Sequence, residues 1–317
     1  MVEEWGLRLD QSIWPLVCHN NRGLTVMSLR IIIMNAVAVF TWTCLFSVTT
    51  MAQTSGPERG SLVIVGGGMQ DLDILVRFGE LAGGLDAPIV VIPTAGGADN
   101  YDQSWQGLQQ FRDAGLTNIT LLHTYDPAVA DTDAFTGAIQ QAQGVWFTGG
   151  RQWQLADAYM NTKVHEALWD LLNRDGVIGG SSAGATILGS YLARGDTSGN
   201  TIMMGDHEEG LGFIKNVAID QHLLRRNRHF DLIEIIEEKP ELLGIGLDEN
   251  TAIIVQNNKF EVIGQSYVAI FDHNRMLDSG GKFYFLRIGD QYDLLSRQAL
   301  RTQTAEQPIE RVVEKTW

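Results

Sequence analysis

"GVIGGSSAGATILGS", residues 176–190, joins an apolar strand to a helical run through two adjacent serines. Residues 180–184 match the pattern G-x-S-x-G with Ser182 at the centre. In that pattern a strand turns sharply into a helix, and the central side chain stands exposed above the sheet on a strained backbone. Ser181 fits less well, because a G-x-S-x-G pattern centred on Ser181 would need glycine at position 183, where the chain has Ala183. The motif predicts Ser182 as a nucleophile, and the alternative interpretation is a small-residue turn without chemistry.

Short apolar runs alternate with helical stretches on both sides of this junction. Strands are predicted at 61–68, 88–95, 118–124, 145–150 and 176–180, and helices at 71–82, 104–115 and 153–176. This alternation predicts an α/β fold with a mostly parallel sheet and helices on both faces.

The last third of the chain has a different pattern. Strands separated by short turns are predicted at 242–248, 251–258, 259–272 and 282–290. They predict an antiparallel extension of the same sheet, and residues 53–317 are expected to form a single domain.

An uncharged run of 20 residues, 31–50, follows Arg30 and precedes small residues up to Ala52. This pattern is typical of a secretory signal, so residues 1–52 are predicted to be a leader and the protein to be exported. The alternative is an uncleaved membrane anchor formed by residues 31–50, because 20 apolar residues can span a bilayer.

The composition excludes several classes of function. The chain of 317 residues carries a formal net charge of −15 and shows no basic patch, so nucleic acid is not expected as a partner. Both cysteines, Cys18 and Cys44, fall in the predicted leader. The remaining chain would therefore have no disulfide, no thiolate metal site and no cysteine nucleophile.

A serine nucleophile needs a base, and His222 is the histidine that the sequence favours. It follows the apolar residues 217–219 within a dense polar cluster, at the carboxyl end of a predicted strand, where open α/β sheets place catalytic groups. The other members of that cluster are Asp220, Gln221, Arg226 and Arg228. A metal site at His207 is not expected, because "GDHEEG" lacks a second ligand at helical spacing.

An acidic turn, Asp248-Glu249, lies between two apolar strands, and either carboxylate could orient His222. The order serine, histidine, acid differs from the order serine, acid, histidine of the α/β-hydrolases. This order argues against an esterase or amidase of that fold. A nucleotide-binding turn at "VGGGMQD" is not expected either, because Asp71 stands where the third glycine should be.

The ordered set of motifs resembles the cyanophycinase and dipeptidase E family of serine peptidases. The likeness is carried by "LVIVGGG" (62–68), "FTGGRQWQL" (147–155), "GGSSAGA" (179–185), "DQHLLRRNR" (220–228) and "GIGLDENTA" (244–252). The resemblance implies a fold like that of the class I glutamine amidotransferases, with serine in place of cysteine. It implies an exopeptidase that needs no metal or cofactor, and dimers are common in the family.

The resemblance also implies roles for residues at matching positions. Ser182 would be the nucleophile, His222 the base and Glu249 the third member of a triad. The oxyanion donors would be the backbone N–H groups of Gly149 or Gly150 and of Ala183. Substrate contacts are implied for Gln152, Asp220, Gln221, Arg226 and Arg228.

One position departs from the cyanophycinase pattern, in which three arginines follow the histidine. The chain has Arg226 and Arg228, but Asp231 stands at the third position. Arg151 is the residue that we expect to supply the missing charge to the substrate pocket. The predicted substrate is cyanophycin, a polymer with an aspartate backbone and arginine side chains that is cleaved to β-Asp-Arg. The alternatives are an aspartyl or isoaspartyl dipeptide, or a homologue that binds such material without cleaving it.

Overall fold

A glycine-rich strand, β5 (Val177–Ser181), lies near the centre of the larger of two sheets in the computed structural model, which describes residues 53–275 and 281–300. It pairs in parallel with β1 (Ser61–Val65) on one side and β4 (Gly144–Phe147) on the other. Beyond β4 lie β2 (Ile89–Ile92) and β3 (Ile119–Leu121), also in parallel. Five parallel strands therefore bring their carboxyl ends to one edge, as the sequence predicts.

Helices cover both faces of these strands. They are α1 (Asp73–Leu81), α2 (Gln109–Asp113), α3 (Pro127–Ala130), α4 (Asp133–Gln141), α5 (Gln152–Tyr159), α6 (Lys163–Asn173) and α7 (Ala183–Thr186). The last helix, α8 (Asp231–Glu238), packs instead on strands of the second sheet described below. In β1, Leu62 and Ile64 pack into a core that includes residues of α4, α5 and α6. Val63 and Val65 pack into a second core with residues of α1 and α2. Successive side chains of a strand point to opposite faces, so the fully buried strand separates two apolar layers.

The helix predicted over 153–176 is interrupted. α5 ends at Tyr159 and α6 begins at Lys163. Between them Asn161 has a φ of 56°, a left-handed conformation that asparagine tolerates better than most residues.

Four antiparallel strands extend the large sheet beyond β1, giving nine strands in total. The first is β9 (Thr251–Gln256), which pairs directly with β1. It is followed by β10 (Lys259–Gly264), β13 (Gln291–Asp293) and β14 (Gln298–Leu300). The predicted antiparallel C-terminal strands are therefore confirmed for this part of the tail.

The other tail strands join a second sheet, so their predicted place in the large sheet is wrong. This five-stranded sheet has the order β12-β11-β8-β7-β6, formed by β6 (Gly189–Tyr191), β7 (Ile214–Gln221), β8 (Leu243–Leu247), β11 (Val268–Asp272) and β12 (Tyr284–Leu286). β8 pairs in parallel with β7 rather than antiparallel with β9. The chain leaves one sheet and enters the other at the turn 248–250, so this turn is a crossing between sheets and not a hairpin.

The predicted leader, 1–52, and the alternative anchor, 31–50, lie outside the described residues. Among residues 53–275 and 281–300, no helix combines the length and apolar character that crossing a lipid bilayer requires.

Candidate active site

Ser182 occupies the junction between β5 and α7 with φ 58° and ψ −115°. A non-glycine residue reaches this conformation only when its surroundings impose it. A Cβ added at Gly180 would lie 2.0 Å from the carbonyl oxygen of Gly184, and one added at Gly184 would lie 2.2 Å from that of Phe147. Both glycines are therefore required by close backbone contacts. The turn that they permit places the side chain of Ser182 at the edge of the sheet.

His222 and Glu249 extend the serine into a hydrogen-bonded triad. The Oγ of Ser182 lies 2.9 Å from Nε2 of His222. The Nδ1 of His222 lies 2.6 Å from Oε1 of Glu249. With the proton on Nδ1, the imidazole donates to the carboxylate and accepts from the hydroxyl, which is the arrangement of a nucleophile, its base and an orienting acid.

The neighbouring carboxylate, Asp248, accepts hydrogen bonds from the loop after His222 and from Ser266. Its Oδ1 accepts hydrogen bonds from the backbone N–H groups of Leu224 and Arg225, at 3.0 and 2.9 Å. Its Oδ2 accepts from the hydroxyl of Ser266 at 2.7 Å. Asp248 thus holds the loop that follows His222, and the carboxylate beside the imidazole belongs to Glu249.

Three consecutive carbonyl groups, those of the last residue of β1 and of the two residues after it, accept hydrogen bonds from the backbone around the triad. The oxygen of Val65 accepts from the N–H of Ser182 at 3.0 Å, and that of Gly66 accepts from His222 at 2.8 Å. The oxygen of Gly67 accepts from the N–H of Asn250, next to Glu249, at 2.9 Å. One short segment therefore fixes three chain segments that are far apart in the sequence.

The glycines of this segment also touch the triad side chains. A Cβ added at Gly67 would lie 2.3 Å from Cε1 of His222, and one added at Gly68 would lie 2.4 Å from Oε2 of Glu249. The sequence shows the glycines but not this role, because a glycine run after a strand is typical of any tight turn. Its position at the carboxyl end of a parallel strand is the one signal that points to function.

His222 is suited to act as a base. Burial lowers the pKa of His222, and Arg226 and Arg228 lower it further, whereas the hydrogen bond to Glu249 raises it; the net shift is downward. The imidazole is therefore neutral near pH 7 and able to accept the proton of Ser182.

Two of the three residues predicted as oxyanion donors, Gly149 and Ala183, lie beside Ser182. A Cβ added at Gly149 would lie 3.2 Å from the Cβ of Ser182. Gly150 has a φ of 143°, and a side chain there would meet the carbonyl oxygen of Ala95. Ala183 is the first residue of α7, and its N–H therefore has no partner within the helix. The structure thus places Gly149 and Ala183 beside Ser182 and Gly150 against Ala95, and the role of all three as donors stays a prediction.

Gln152 and Arg151 are held against the loop after β6. The side-chain amide of Gln152 is buried and donates to the carbonyl oxygen of Ala193 at 2.8 Å. The Nη2 of Arg151 donates to the carbonyl oxygen of Asp196 at 2.7 Å. Both side chains thus join the segment after β4 to a neighbouring loop.

A buried ionic network lies behind His222. Asp220 is fully buried, and its carboxylate accepts from Nε and Nη2 of Arg194 at 2.7 and 3.1 Å. Arg228 donates to the carbonyl oxygen of Gln221 at 3.0 Å and to its side-chain oxygen. Asp220, Gln221 and Arg228 are therefore supports of the strand end that carries His222, whereas Arg226 is exposed.

Asp231, at the start of α8, pairs with the guanidinium of Arg194. The cation that pairs with Asp231 is therefore Arg194, from the turn after β6, and the charge that Arg151 is expected to supply to the substrate pocket stays a prediction. Arg194 is only 2% exposed, whereas the side chain of Asp231 is 35% exposed, so the pair lies at the edge of the buried network. Nothing in "YLARGDTSG" distinguishes this arginine from a surface residue, so it could not be selected from the sequence.

The chain is similar to proteins of known family. Residues 62–263 match the model of peptidase family S51. A cyanophycinase from Geminocystis herdmanii (strain PCC 6308) is 31% identical over 230 residues, which cover 69% of this chain and 82% of the relative. A cyanophycinase from Trichormus variabilis (strain ATCC 29413 / PCC 7937) is 28% identical over 270 residues, which cover 78% and 90%.

A solved structure is similar as well. The crystal structure of a peptidase from an acI-B1 Actinobacterium superposes with a TM-score of 0.57 at 25% identity. The match covers 75% of this chain and 98% of that one.

Proposed function

The chain belongs to peptidase family S51 and is a serine-type peptidase, and from that premise we propose that it hydrolyses cyanophycin to β-Asp-Arg through an acyl-enzyme on Ser182. The observation that carries the proposal is the chain of hydrogen bonds from Ser182 through His222 to Glu249, at 2.9 and 2.6 Å. Those side chains lie where a strained turn and a buried imidazole favour a nucleophile and its base.

The first half of the reaction forms the acyl-enzyme. Nε2 of His222 takes the proton from Oγ of Ser182 while the oxygen attacks the amide carbonyl carbon. The carbonyl becomes an oxyanion, which the N–H groups of Gly149 and Ala183 stabilise. Glu249 keeps the Nδ1 proton in place and stabilises the imidazolium. The imidazolium then gives its proton to the leaving nitrogen, and the carbon–nitrogen bond breaks.

The second half regenerates the enzyme by the same groups. Water gives a proton to Nε2 of His222 and attacks the ester carbonyl. The ester bond to Ser182 then breaks, and the imidazolium returns the proton to Oγ. The products are a carboxylic acid and the amine released earlier, so the proposed cycle balances with water as the only second reactant.

The substrate proposal rests on the two relatives described above, both of which are named cyanophycinase, and on the charges of the site. Arg225 and Arg226 are exposed on the loop after His222, and Nε of Arg225 lies 3.8 Å from Oε2 of Glu249. Guanidinium groups bind carboxylates with two parallel hydrogen bonds, which suits a substrate built on aspartate.

The proposal is tested by comparing the full chain with its Ser182→Ala variant on purified cyanophycin, following soluble β-Asp-Arg by mass spectrometry. We expect release by the wild type and a loss of at least about 10³-fold in the variant. Turnover by folded Ser182→Ala protein would contradict the assignment of the nucleophile. Release from isoaspartyl or α-aspartyl dipeptides alone would make the chain a dipeptidase. Saturable binding of cyanophycin without product would make it a binding homologue.

We further propose that the protein is exported, on the basis of the uncharged run 31–50 after Arg30 and the small residues up to Ala52. Fractionation of the source cells and the intact mass of the recovered protein test this. Export predicts protein outside the cytoplasm with residues 1–52 removed. Full-length protein in the cytosolic fraction would contradict it, and full-length protein in the membrane fraction would support the anchor.

A further inference from the structure

An open pocket of about 370 Å³ lies at the edge where strands β2, β3 and β4 end. It is lined by Gly97, Asp99, Tyr125, Trp153, Gln154 and Asp157. The first two residues follow β2, Tyr125 follows β3, and the others belong to α5, which follows β4. The pocket therefore shares with the triad the edge of the sheet that holds the carboxyl ends of the parallel strands.

A single loop separates this pocket from the nucleophile. β4 is the neighbour of β5, which ends at Ser181. A Cβ added at Gly149 would lie 3.2 Å from that of Ser182, and Gly150 is in contact with Ala95, two residues before Gly97. The loop of Gly149 and Gly150 thus has the nucleophile on one side and the residues that lead into the pocket on the other.

The lining combines aromatic rings with carboxylates. Tyr125 is 37% exposed, Trp153 is partly exposed, and Asp99 and Asp157 are both exposed. Aromatic faces attract cations, and carboxylates pair with them. Guanidinium fits this combination better than ammonium does, because it is flat, weakly hydrated and able to stack on a ring while it binds a carboxylate through two N–H groups.

One of the two carboxylates is held in place. The Oδ1 of Asp157 lies 2.8 Å from Nε2 of His207, whose Nδ1 lies 2.9 Å from Oδ1 of Asp206. Burial lowers the pKa of His207, but the hydrogen bonds to Asp206 and Asp157 outweigh it and leave the pKa raised. A fixed carboxylate loses less conformational freedom when it binds a cation than a mobile one does.

The charges on the two flanks of the triad are opposite. The flank after His222 carries the exposed Arg225 and Arg226, whereas the flank beyond Gly149 carries Asp99 and Asp157. On this second flank His207 pairs with Asp157 and Arg151 is bound to the carbonyl oxygen of Asp196, so Asp99 is the carboxylate of the pocket without a cationic partner among the ion pairs of the described residues. A ligand that spans Ser182 therefore meets positive charge at one end and negative charge with aromatic rings at the other. An aspartyl-arginine unit, with its carboxylates and its guanidinium, has the complementary arrangement.

We propose that the pocket formed by Asp99, Tyr125, Trp153 and Asp157 is a subsite for the guanidinium of an arginine side chain of the substrate. The inference rests on the proposed function for the identity of the substrate, and it adds a cation-binding site to the catalytic centre.

The test is calorimetric, and it uses the full chain with Ser182→Ala so that nothing is cleaved. The two probes are an oligomer of β-Asp-Arg units and the same oligomer with citrulline, whose neutral urea group has nearly the shape of guanidinium. We expect the arginine oligomer to bind about tenfold more tightly. Adding Asp99→Asn, or separately Asp157→Asn, should remove most of this preference and leave the citrulline affinity unchanged. Asp113→Asn, the same change at an exposed position of α2, is the matched control and should preserve the preference.

The outcomes separate the subsite from the proposed function. Equal dissociation constants for the two oligomers, no binding of either, or a preference that survives both pocket variants would overturn the subsite. A preference for arginine that depends on Asp99 and Asp157, in a protein whose wild type hydrolyses neither oligomer, would support the subsite and contradict the proposed peptidase reaction on this substrate.

Discussion

Ser182 and His222 both have positive φ angles, 58° and 55°, although neither is glycine. A backbone held in such a conformation costs roughly 1–3 kcal/mol per residue, and it persists only where the surrounding structure imposes it. Here the carbonyl oxygens of Val65 and Gly66 hold the two N–H groups at 3.0 and 2.8 Å. The sequence identifies Ser182 from its motif and His222 from its strand end. It does not identify the carbonyl groups that hold them, because every residue has a backbone carbonyl.

The depressed pKa of His222 determines how activity depends on pH. The imidazole must be neutral to accept a proton, so kcat/KM should fall only when the pH drops below the usual histidine value of 6.5, through the lower pKa of the folded protein. Glu249→Gln removes an interaction that raises this pKa, so the acid limb should move to lower pH while kcat falls about 10²- to 10⁴-fold. The pH profile of kcat/KM for the wild type and the variant measures both effects.

The same shift has a consequence for stability. Because the folded pKa is lower, unfolded chains bind the proton first as the pH falls. The free energy of unfolding should therefore decline from about pH 6.5 downward and level off below the folded pKa, as far as His222 is concerned. In the pH profile of kcat/KM, an acid limb above pH 6.5 would contradict the assignment of His222 as the base. An acid limb that does not move in the Glu249→Gln variant would contradict it as well.

Gly67 offers a test of contact at the triad. Gly67→Ala would place a Cβ 2.3 Å from the ring of His222, whereas Gly83→Ala, at nearly the same φ (101° against 108°), would meet nothing within 4 Å. Both variants should lose roughly 1–3 kcal/mol of stability from backbone strain. Only Gly67→Ala should lose kcat, by at least about tenfold, because it displaces the imidazole. Urea unfolding and steady-state kinetics measure the two effects, and equal kinetic losses in both variants would exclude a specific contact.

At the scale of elements, the turn 248–250 joins β8 of the small sheet to β9 of the large one. The apolar pattern of 242–258 predicts two strands and a turn, and the structure has both strands. The pattern does not encode their partners, because a buried strand shows the same apolar run in whichever sheet it pairs. The acidic turn was therefore expected in a hairpin, whereas it lies between sheets and brings Glu249 to His222.

The network around Arg194 explains how Asp231 is accommodated. Arg194 joins the end of β7, through Asp220, to the start of α8, through Asp231. The negative charge at position 231 is thus paired with a buried cation from the turn after β6. Asp231 therefore belongs to the network that supports the strand carrying His222, and the role of Arg151 toward the substrate stays a prediction.

Removing Arg194 should therefore be costly. Arg194→Met leaves the fully buried Asp220 without its bidentate partner, and such a loss destabilises proteins by about 3–5 kcal/mol. The matched control is Arg59→Met, which breaks an exposed pair with Asp175 and should leave the free energy of unfolding nearly unchanged. The midpoints and slopes of urea unfolding give both values. Similar losses in the two variants would show that the Arg194 network does not support the fold.

At the scale of the whole molecule, the triad lies where two sheets meet. Ser182 follows β5 of the nine-stranded sheet, His222 follows β7 of the five-stranded sheet, and Glu249 stands in the crossing between them. The sequence predicts the parallel sheet, its two-sided burial and the residues at its strand ends, because these depend on local periodicity. The second sheet could not be predicted in the same way, since it depends on pairings between distant strands.

The three carbonyl groups of residues 65–67 have a consequence during synthesis. They leave the ribosome early, whereas Asn250, the last of the residues that they bind, emerges much later. A nascent chain that ends before Glu249 contains the nucleophile and the base but no complete triad, and its Gly67 carbonyl has not yet met Asn250. The proposed triad can therefore assemble only after most of the chain has been translated, and a shorter nascent chain does not hold the complete hydrogen-bonded site.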